Sequence, residues 1–174
     1  MAQEKGTQTD RVIVNVEVKE RSTGELSFGV GVSTAETVVG DIGIRERNLL
    51  GRGQDLRLGL SASPRQQQID LSFTEPYFLD RNLAAGFDVF RIKRDNQDRS
   101  SFDEDNLGFR LRTNFLITEN LRQGLNYSLR EDEISNVDDS TSPLIRLDEG
   151  SFITSSIGYE LTFDTRDDIV QPNR

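Results

Sequence analysis

Hydrophobic and polar residues alternate along most of this chain with a period of two, which is the pattern of β-strands with one apolar face. In Gly24–Ser33, for example, Leu26, Phe28, Val30 and Val32 share one side of the segment. The alternation predicts nine strands and no convincing helix. The predicted strands are residues 11–20, 24–33, 38–47, 54–63, 67–75, 82–91, 106–116, 121–130 and 151–165.

The polar side of these strands contains charged residues in the middle of the strand. They are Asp70, Asp88, Arg110, Arg112 and Glu160. Two kinds of fold fit this pattern. A membrane barrel would turn the charges toward its lumen, and a soluble β-sandwich would turn them toward solvent and keep the apolar side in a core.

The lengths of the connections distinguish these two folds. Taken in order after the strand at Gly24, the connections alternate between two sides of the sheet. One side has only short turns, at residues 48–53, 76–81 and 117–120. The other side has residues 34–37, 64–66, 92–105 and 131–150, of which the last two are long and charged. Short turns at one rim and long loops at the other are typical of an outer-membrane barrel, whereas Greek-key sandwiches lack this alternation.

We therefore predict an all-β fold, an antiparallel up-and-down transmembrane β-barrel. One face is expected to contact lipid, through Leu58, Leu71, Phe87, Phe109, Leu125 and Tyr159. The opposite face is expected to line the lumen, with Arg57, Asp70, Asp88, Arg110, Asn126 and Glu160. Tyr77 and Phe78 at a short turn, and Phe90 beside a long loop, occupy positions expected for interfacial aromatic residues.

Composition narrows the class of function. Only 34% of the 174 residues are hydrophobic, and no apolar run is long enough for a transmembrane helix, but a barrel strand needs apolar residues only at every second position. The chain has no Cys and no His, which excludes catalysis by those residues and argues against structural zinc. The net charge of -9 argues against nucleic acid as a partner. The start at Met1 lacks the features of a signal peptide, so we expect the chain to come from a longer precursor.

Candidate chemistry along the chain is weak. Two acidic clusters, at residues 103–105 and 131–133, could serve as paired carboxylates or bind calcium, but they lie in the predicted long loops and lack EF-hand spacing. The serines have no histidine partner, and Gly29 and Gly31 are not followed by a helix that could hold phosphate. We therefore expect neither an enzyme nor a cofactor.

Four stretches resemble the bacterial surface-antigen family, which contains the barrel subunit of the machine that assembles outer-membrane proteins. They are STGELSFG at residues 22–29, ERNLLGRG at 46–53, SFTEPYFLD at 72–80 and GYELTFDTRD at 158–167. The resemblance covers most of residues 12–167. It implies that residues 1–22 are the end of the last periplasmic POTRA domain and its linker, and that residues 23–174 are the N-terminal half of a barrel of roughly sixteen strands. Two free sheet edges would follow, unless the piece curls into a small barrel of about eight strands.

The resemblance also implies a function and a site. Family members fold and insert other barrels into the bacterial outer membrane, and the first barrel strand forms one side of a lateral gate that pairs with strands of the client. The implied partners are nascent outer-membrane proteins, assembly-machine lipoproteins and outer-membrane lipids, with the N-terminus in the periplasm. The implied gate residues are Gly24, Glu25, Leu26, Ser27, Phe28, Gly29, Val30, Gly31, Val32 and Ser33. The alternatives are a related barrel that translocates polypeptides or solutes, and a soluble β-sandwich that binds a partner.

Overall fold

A computed structural model describes residues 2–5, 12–15, 22–34, 37–139 and 141–166 of the chain. Ten strands account for most of them: β1 (Ala2–Lys5), β2 (Val12–Asn15), β3 (Gly24–Ser33), β4 (Thr37–Leu49), β5 (Gln54–Ala62), β6 (Gln66–Glu75), β7 (Leu83–Asp95), β8 (Asp103–Thr118), β9 (Leu121–Ser135) and β10 (Gly150–Phe163). The helices are all short: α1 (Gln97–Ser100), α2 (Pro143–Leu147) and a 3₁₀ turn at Phe78–Asp80.

The first two strands form a separate antiparallel pair in which Ala2 lies opposite Asn15. The sequence predicted a strand over residues 11–20, and the part of it that is described, Val12–Asn15, is β2. The remainder of that prediction lies outside the described residues. Strand β1 was not predicted. The division into residues 1–22 and 23–174 stays a prediction.

The other eight strands form one antiparallel sheet in which every strand pairs with its neighbour in sequence. The order β10-β9-β8-β7-β6-β5-β4-β3 is an up-and-down meander, which confirms the predicted fold class. Within the described residues β3 and β10 do not pair with each other, so the sheet stays open and does not close into a small barrel.

The sheet formed by the described residues is a single layer without a hydrophobic core. Among the described residues no hydrophobic side chain is buried, and large ones such as Phe28, Ile157 and Phe163 are mostly exposed. A soluble sandwich would instead bury one face of each sheet against a second sheet. The fold therefore argues against the sandwich alternative.

The strand register separates the two faces as the alternation predicts. On one face Leu58 lies opposite Ile44 and Leu71, and the row continues through Val89 to Phe109. On the other face the corresponding row is Arg57, Ser72, Asp88, Arg110 and Ser128. A one-residue slip would exchange the two faces of a strand, so the separation fixes the register.

The strands extend further than the sequence predicted, and the long loops are correspondingly shorter. The predicted loop 92–105 is reduced to residues 96–102, and the predicted loop 131–150 to residues 136–149. The charged strand ends are held by pairs of opposite charge across the ladder, such as Arg91 with Asp105 (2.7 Å) and Arg94 with Glu104 (3.3 Å). Such cross-strand pairs stabilise a sheet, although in the sequence the same residues look like a solvated loop.

The prediction for Phe90 was wrong. It does not border a loop but lies inside β7, five residues before the strand ends at Asp95, and it pairs with Gly108. It belongs to the polar face, where its ring lies across the backbone of Gly108, and a Cβ at that glycine would overlap the ring. Tyr77 and Phe78 do lie at the short turn between β6 and β7.

The one-turn helices α1 and α2 occupy the two longer loops, where no helix was predicted. No helix in the described part of the chain is long and apolar enough to cross a membrane.

Candidate functional site at the edge strand

All ten predicted gate residues lie in one strand, β3, at one edge of the sheet. The strand is hydrogen-bonded to β4 from Gly24, opposite Glu46, to Ser33, opposite Thr37. Its other side faces no strand among the described residues. Every residue of β3 is exposed, and Phe28 and Val30 are 84% and 83% exposed. The structure thus joins the predicted residues into a continuous edge.

Side-chain contacts hold the beginning of β3 to β4. Thr23, just before the strand, donates a hydrogen bond to Glu46, and the Glu25 carboxylate lies 3.1 Å from the Arg47 guanidinium. The Ser27 hydroxyl donates to the backbone carbonyl of Gly43 at 3.4 Å. The start of the edge strand is therefore clamped to its neighbour.

Beyond Ser27, the next two residues on the polar face of β3 are Gly29 and Gly31. A Cβ built on Gly31 meets no atom within 4 Å, and one built on Gly29 comes no closer than 3.8 Å, to the Asp41 carboxylate. Neither glycine is therefore required by close packing in the described part of the chain. Missing side chains leave the backbone accessible and lower the cost of bending it.

An ion pair links β4 and β5, the two strands next to β3 in the sheet. The guanidinium of Arg45 on β4 holds the Asp55 carboxylate on β5 through two hydrogen bonds, one of them from Nε to Oδ1 at 3.1 Å. Bidentate pairs of this kind fix geometry as well as charge. Strand β4, the neighbour of β3, is thus tied to β5 by a bidentate ion pair.

A larger polar network crosses the same face further along the sheet. The Arg112 guanidinium on β8 donates from Nε to Asp88 at 3.0 Å, and from Nη2 to Ser72 at 3.0 Å and to Thr74 at 2.8 Å. Ser72 in turn donates to Asp88 at 2.7 Å. Three strands are linked in this way, and the sequence alone showed the charges but not their partners.

The second edge of the sheet, β10, was not identified as a site from the sequence. Its end is fixed by the Asp164 backbone N–H, which donates to the Asn120 carbonyl at 2.9 Å. Beyond the strand, hydrogen bonds from the side chain and backbone N–H of Arg166 lower the pKa of the Asp164 carboxyl to about 2. The alternation marks β10 as a strand like the others. Within the described residues the strand order places it at an edge of the sheet, in agreement with the two edges that the resemblance implies.

In each of the two acidic clusters, residues 103–105 and 131–133, a carboxylate accepts hydrogen bonds from neighbouring side chains. Asp103 accepts hydrogen bonds from Gln97 and Asn136, and Asp132 accepts them from Asn106 and Arg130. No group of three or more Asp, Glu, His or Cys side chains in the described residues is arranged to hold a metal ion.

Comparison with known proteins identifies the family. The family model of the Omp85 superfamily domain matches residues 48–174. The outer membrane protein assembly factor BamA of Nitratidesulfovibrio vulgaris is 33% identical over 165 residues, which are 95% of this chain and 20% of that protein. A SAM50-like protein of Schizosaccharomyces pombe is 27% identical over 169 residues, or 95% of this chain and 35% of that protein.

The fold comparison agrees with the sequence comparisons. The crystal structure of BamA from Haemophilus ducreyi lacking POTRA domains 1–3 superposes with a TM-score of 0.58 and 24% identity, over 88% of this chain and 32% of that one. This chain spans about a fifth of the length of its bacterial relatives from N. vulgaris and Neorickettsia risticii. The match of the family model over residues 48–174 shows that the chain belongs to the Omp85 superfamily.

Proposed function

We propose that this chain is the gate-bearing half of an outer-membrane barrel that folds and inserts other barrel proteins, and that β3 is the strand that pairs with a client. The edge of β3 from Gly24 to Val32, which faces no other strand among the described residues, is the observation that carries the proposal. The relatives named as assembly factors support the class of function.

The physical reason is the cost of an open strand edge in lipid. Each backbone N–H or C=O left without a partner in the hydrocarbon region costs several kcal/mol, on the order of the cost of burying an unpaired polar group. An edge strand therefore favours pairing with another strand, and an incoming client strand gains the same hydrogen bonds. No nucleotide, cofactor or catalytic residue is needed for this exchange.

The two halves of β3 differ in their side-chain contacts to β4. Thr23 and Glu25 tie the first half to β4, whereas Gly29 and Gly31 carry no side chain that would obstruct an approaching strand. We propose that client pairing depends on main-chain groups of this second half, with side chains only tuning the fit.

In this proposal the apolar face of the sheet contacts the lipid and the polar face lines the lumen. The N-terminus lies in the periplasm, and the partners are nascent outer-membrane proteins, assembly-machine lipoproteins and outer-membrane lipids.

Proline substitutions in the full-length protein test the gate. Proline removes a backbone N–H, and N–H groups of successive strand residues point to opposite sides of the strand. Ser27→Pro and Gly29→Pro therefore remove donors on one side of β3, and Phe28→Pro removes a donor on the other. We expect the set whose N–H groups point away from β4 to abolish insertion of client barrels while the protein still folds. The set whose N–H groups point toward β4 should instead damage the protein's own barrel. Ser27→Ala keeps the N–H and should insert clients at nearly the normal rate.

Disulfide crosslinking provides a direct measurement. A Cys at position 29 (Gly29→Cys) should crosslink to a Cys in the last strand of a stalled client, whereas a Cys at Gly59, on β5 inside the sheet, should not. Normal client insertion by all three proline variants, together with no crosslink at position 29, would show that β3 is an ordinary wall strand.

A further inference from the structure

Five glycines on the polar face of the sheet lie under the side chain that stands directly opposite them on a neighbouring strand. A Cβ built on any of these glycines would come within 3.0 Å of that side chain. The five cases are Gly43 under Ser27, Gly86 under Arg112, Gly108 under Phe90, Gly124 under Asn114 and Gly158 under Asn126. A sixth, Gly59, has a looser contact, with the Asp70 Cβ opposite it at 3.8 Å. A glycine on this face is thus a place where a neighbour's side chain can lie across the strand.

The case of Gly86 shows what such a crossing achieves. Arg112 on β8 stands opposite Gly86 on one side, and Thr74 on β6 stands opposite it on the other. The Arg112 guanidinium lies over the glycine, and its Nη2 donates to the Thr74 hydroxyl at 2.8 Å. Because position 86 has no Cβ, a side chain of one neighbouring strand bonds to a side chain of the other.

Gly29 on the edge strand β3 has one half of this arrangement. On the β4 side Asp41 stands opposite it, with a carboxylate oxygen 3.8 Å from the position of a Cβ. On the other side no strand among the described residues faces β3, so no side chain lies over the glycine from there. The Asp41 carboxylate makes no hydrogen bond or ion pair with any described residue. Gly29 and Asp41 therefore correspond to Gly86 and Thr74, without the counterpart of Arg112.

The charges around Asp41 favour a cation as the missing group. The charged residues on the polar face of β3 to β6 are Glu25, Asp41, Arg45, Arg47, Asp55, Arg57 and Asp70. Two of the three arginines already form ion pairs, with Asp55 and Glu25. Arg45 is four residues, or roughly 13 Å, from Asp41 along β4, and Arg57 lies opposite Arg45. Asp70, two strands away, is itself an acid, so Asp41 is left without a cation beside it in the described part of the sheet.

We propose that the client strand that pairs with β3 carries an arginine directly opposite Gly29, and that its guanidinium lies over the glycine and binds the Asp41 carboxylate. Arginine fits this position better than lysine, because its planar guanidinium can hold a carboxylate through two hydrogen bonds, as Arg45 holds Asp55. The inference rests on the proposed function, since it requires β3 to pair with a client.

The rest of the client strand follows from the outward face of β3. The residues before and after the arginine turn to the face that carries Phe28 and Val30, which are 84% and 83% exposed. Apolar residues are favoured there, because side chains that face each other across a strand pair stabilise the pairing. The substrate is therefore an alternating strand with an arginine in the middle of its polar face.

The test uses the full-length protein in detergent micelles and fluorescent peptides as long as β3, with alternating valine and serine. One peptide carries arginine at its central polar position, a second carries the neutral isostere citrulline there, and a third carries the arginine one residue later, on the apolar face. Affinities are measured by fluorescence anisotropy. The first peptide should bind roughly two- to fivefold more tightly than the second, as expected for an ion pair in contact with water. The third should bind no more tightly than the citrulline peptide.

Substitutions in the protein identify the group that recognises the arginine. Asp41→Asn should remove the preference for arginine over citrulline, and Asp41→Lys should create a preference for a peptide with glutamate at the same position. Gly29→Val keeps the backbone N–H but obstructs the path over the strand, so it should also remove the preference. Asp70→Asn, which neutralises an acid of the same face on β6, should leave the preference unchanged. The heat-dependent gel shift of folded barrels checks that each variant is folded.

A disulfide shows where the peptides bind and separates this inference from the proposed function. Phe28→Cys should crosslink to a peptide that carries a cysteine beside the central polar position. Equal binding of the arginine and citrulline peptides, with both crosslinked at position 28, would overturn this inference and leave the gate intact. A preference for arginine that survives Asp41→Asn would overturn the pairing with Asp41. Failure of every peptide to crosslink to β3 would contradict the gate and, with it, this inference.

Discussion

Arg112 on β8 binds Asp88 on β7 diagonally across the sheet, with its Nε 3.0 Å from Oδ2, and its side chain passes over Gly86 on the way. Asp88 lies directly opposite a different arginine, Arg110, yet forms its ion pair with Arg112. The glycine makes this diagonal contact sterically feasible, because a Cβ at position 86 would come within about 3 Å of the guanidinium.

The first prediction follows from this pair. Arg112→Ala should destabilise the full-length protein by about 1–3 kcal/mol, because the hydrogen bonds from Arg112 to a charged group are lost and Asp88 keeps the hydrogen bond from Ser72 and the nearby charge of Arg110. Arg110→Ala is the matched control: Arg110 lies opposite Asp88 and acts on it through charge alone, with no hydrogen bond or ion pair within the described part of the chain, so its loss should cost clearly less stability. The measurement is guanidinium unfolding of the purified protein. Equal loss of stability in both variants would show that the hydrogen bonds of Arg112 do not add to the stability of the sheet.

The second prediction concerns the two faces. Leu125 and Asn126 are neighbours on β9 and point to opposite faces. A charge turned toward lipid near mid-membrane costs about 2–4 kcal/mol, whereas the lumen tolerates it. Leu125→Arg should therefore reduce the amount of assembled protein in the membrane far more than Asn126→Arg, as judged by the heat-dependent gel shift of folded barrels. Comparable levels of both variants would contradict the assignment of lipid and lumen faces.

The third prediction concerns Phe90 and Gly108. Gly108→Ala places a methyl group where the Phe90 ring lies, and overpacking of this kind costs about 1–3 kcal/mol. Adding Phe90→Ala should recover part of the loss by removing the clash. Gly31→Ala serves as the control because a Cβ there meets no atom within 4 Å. If the double variant is no more stable than the Gly108→Ala variant, overlap with the Phe90 ring is not the cause of the destabilisation.

The fourth prediction concerns topology. The loops at residues 96–102 and 136–149 should be exposed on the cell surface, and the short turns should face the periplasm. Each set contains exposed arginines, Arg99 and Arg146 in the loops and Arg52 and Arg81 in the turns. Trypsin added to intact cells should cut at the first pair only, and permeabilised cells should also be cut at the second. Early cleavage at Arg52 or Arg81 would reverse the orientation.

The sequence by itself determined that the eight strands of the large sheet exist and which residues lie on each of its two faces. Alternation is a local property, because successive side chains of a strand point to opposite sides whatever lies beside it. This is why β3 was predicted with the bounds Gly24–Ser33 that the structure shows, and why Leu58 and Arg57 were assigned to opposite faces.

Only the tertiary structure decided the features that depend on which residues lie opposite each other. Arg91 reaches Asp105, fourteen positions later in the chain, so a segment that looks like a charged loop continues as strand. Asp41 is one charged strand residue among many in the sequence until the register places it opposite Gly29 of the edge strand. The position of β3 and β10 at the edges of the described sheet likewise follows from strand order, which the alternation does not encode because every strand of a meander alternates in the same way.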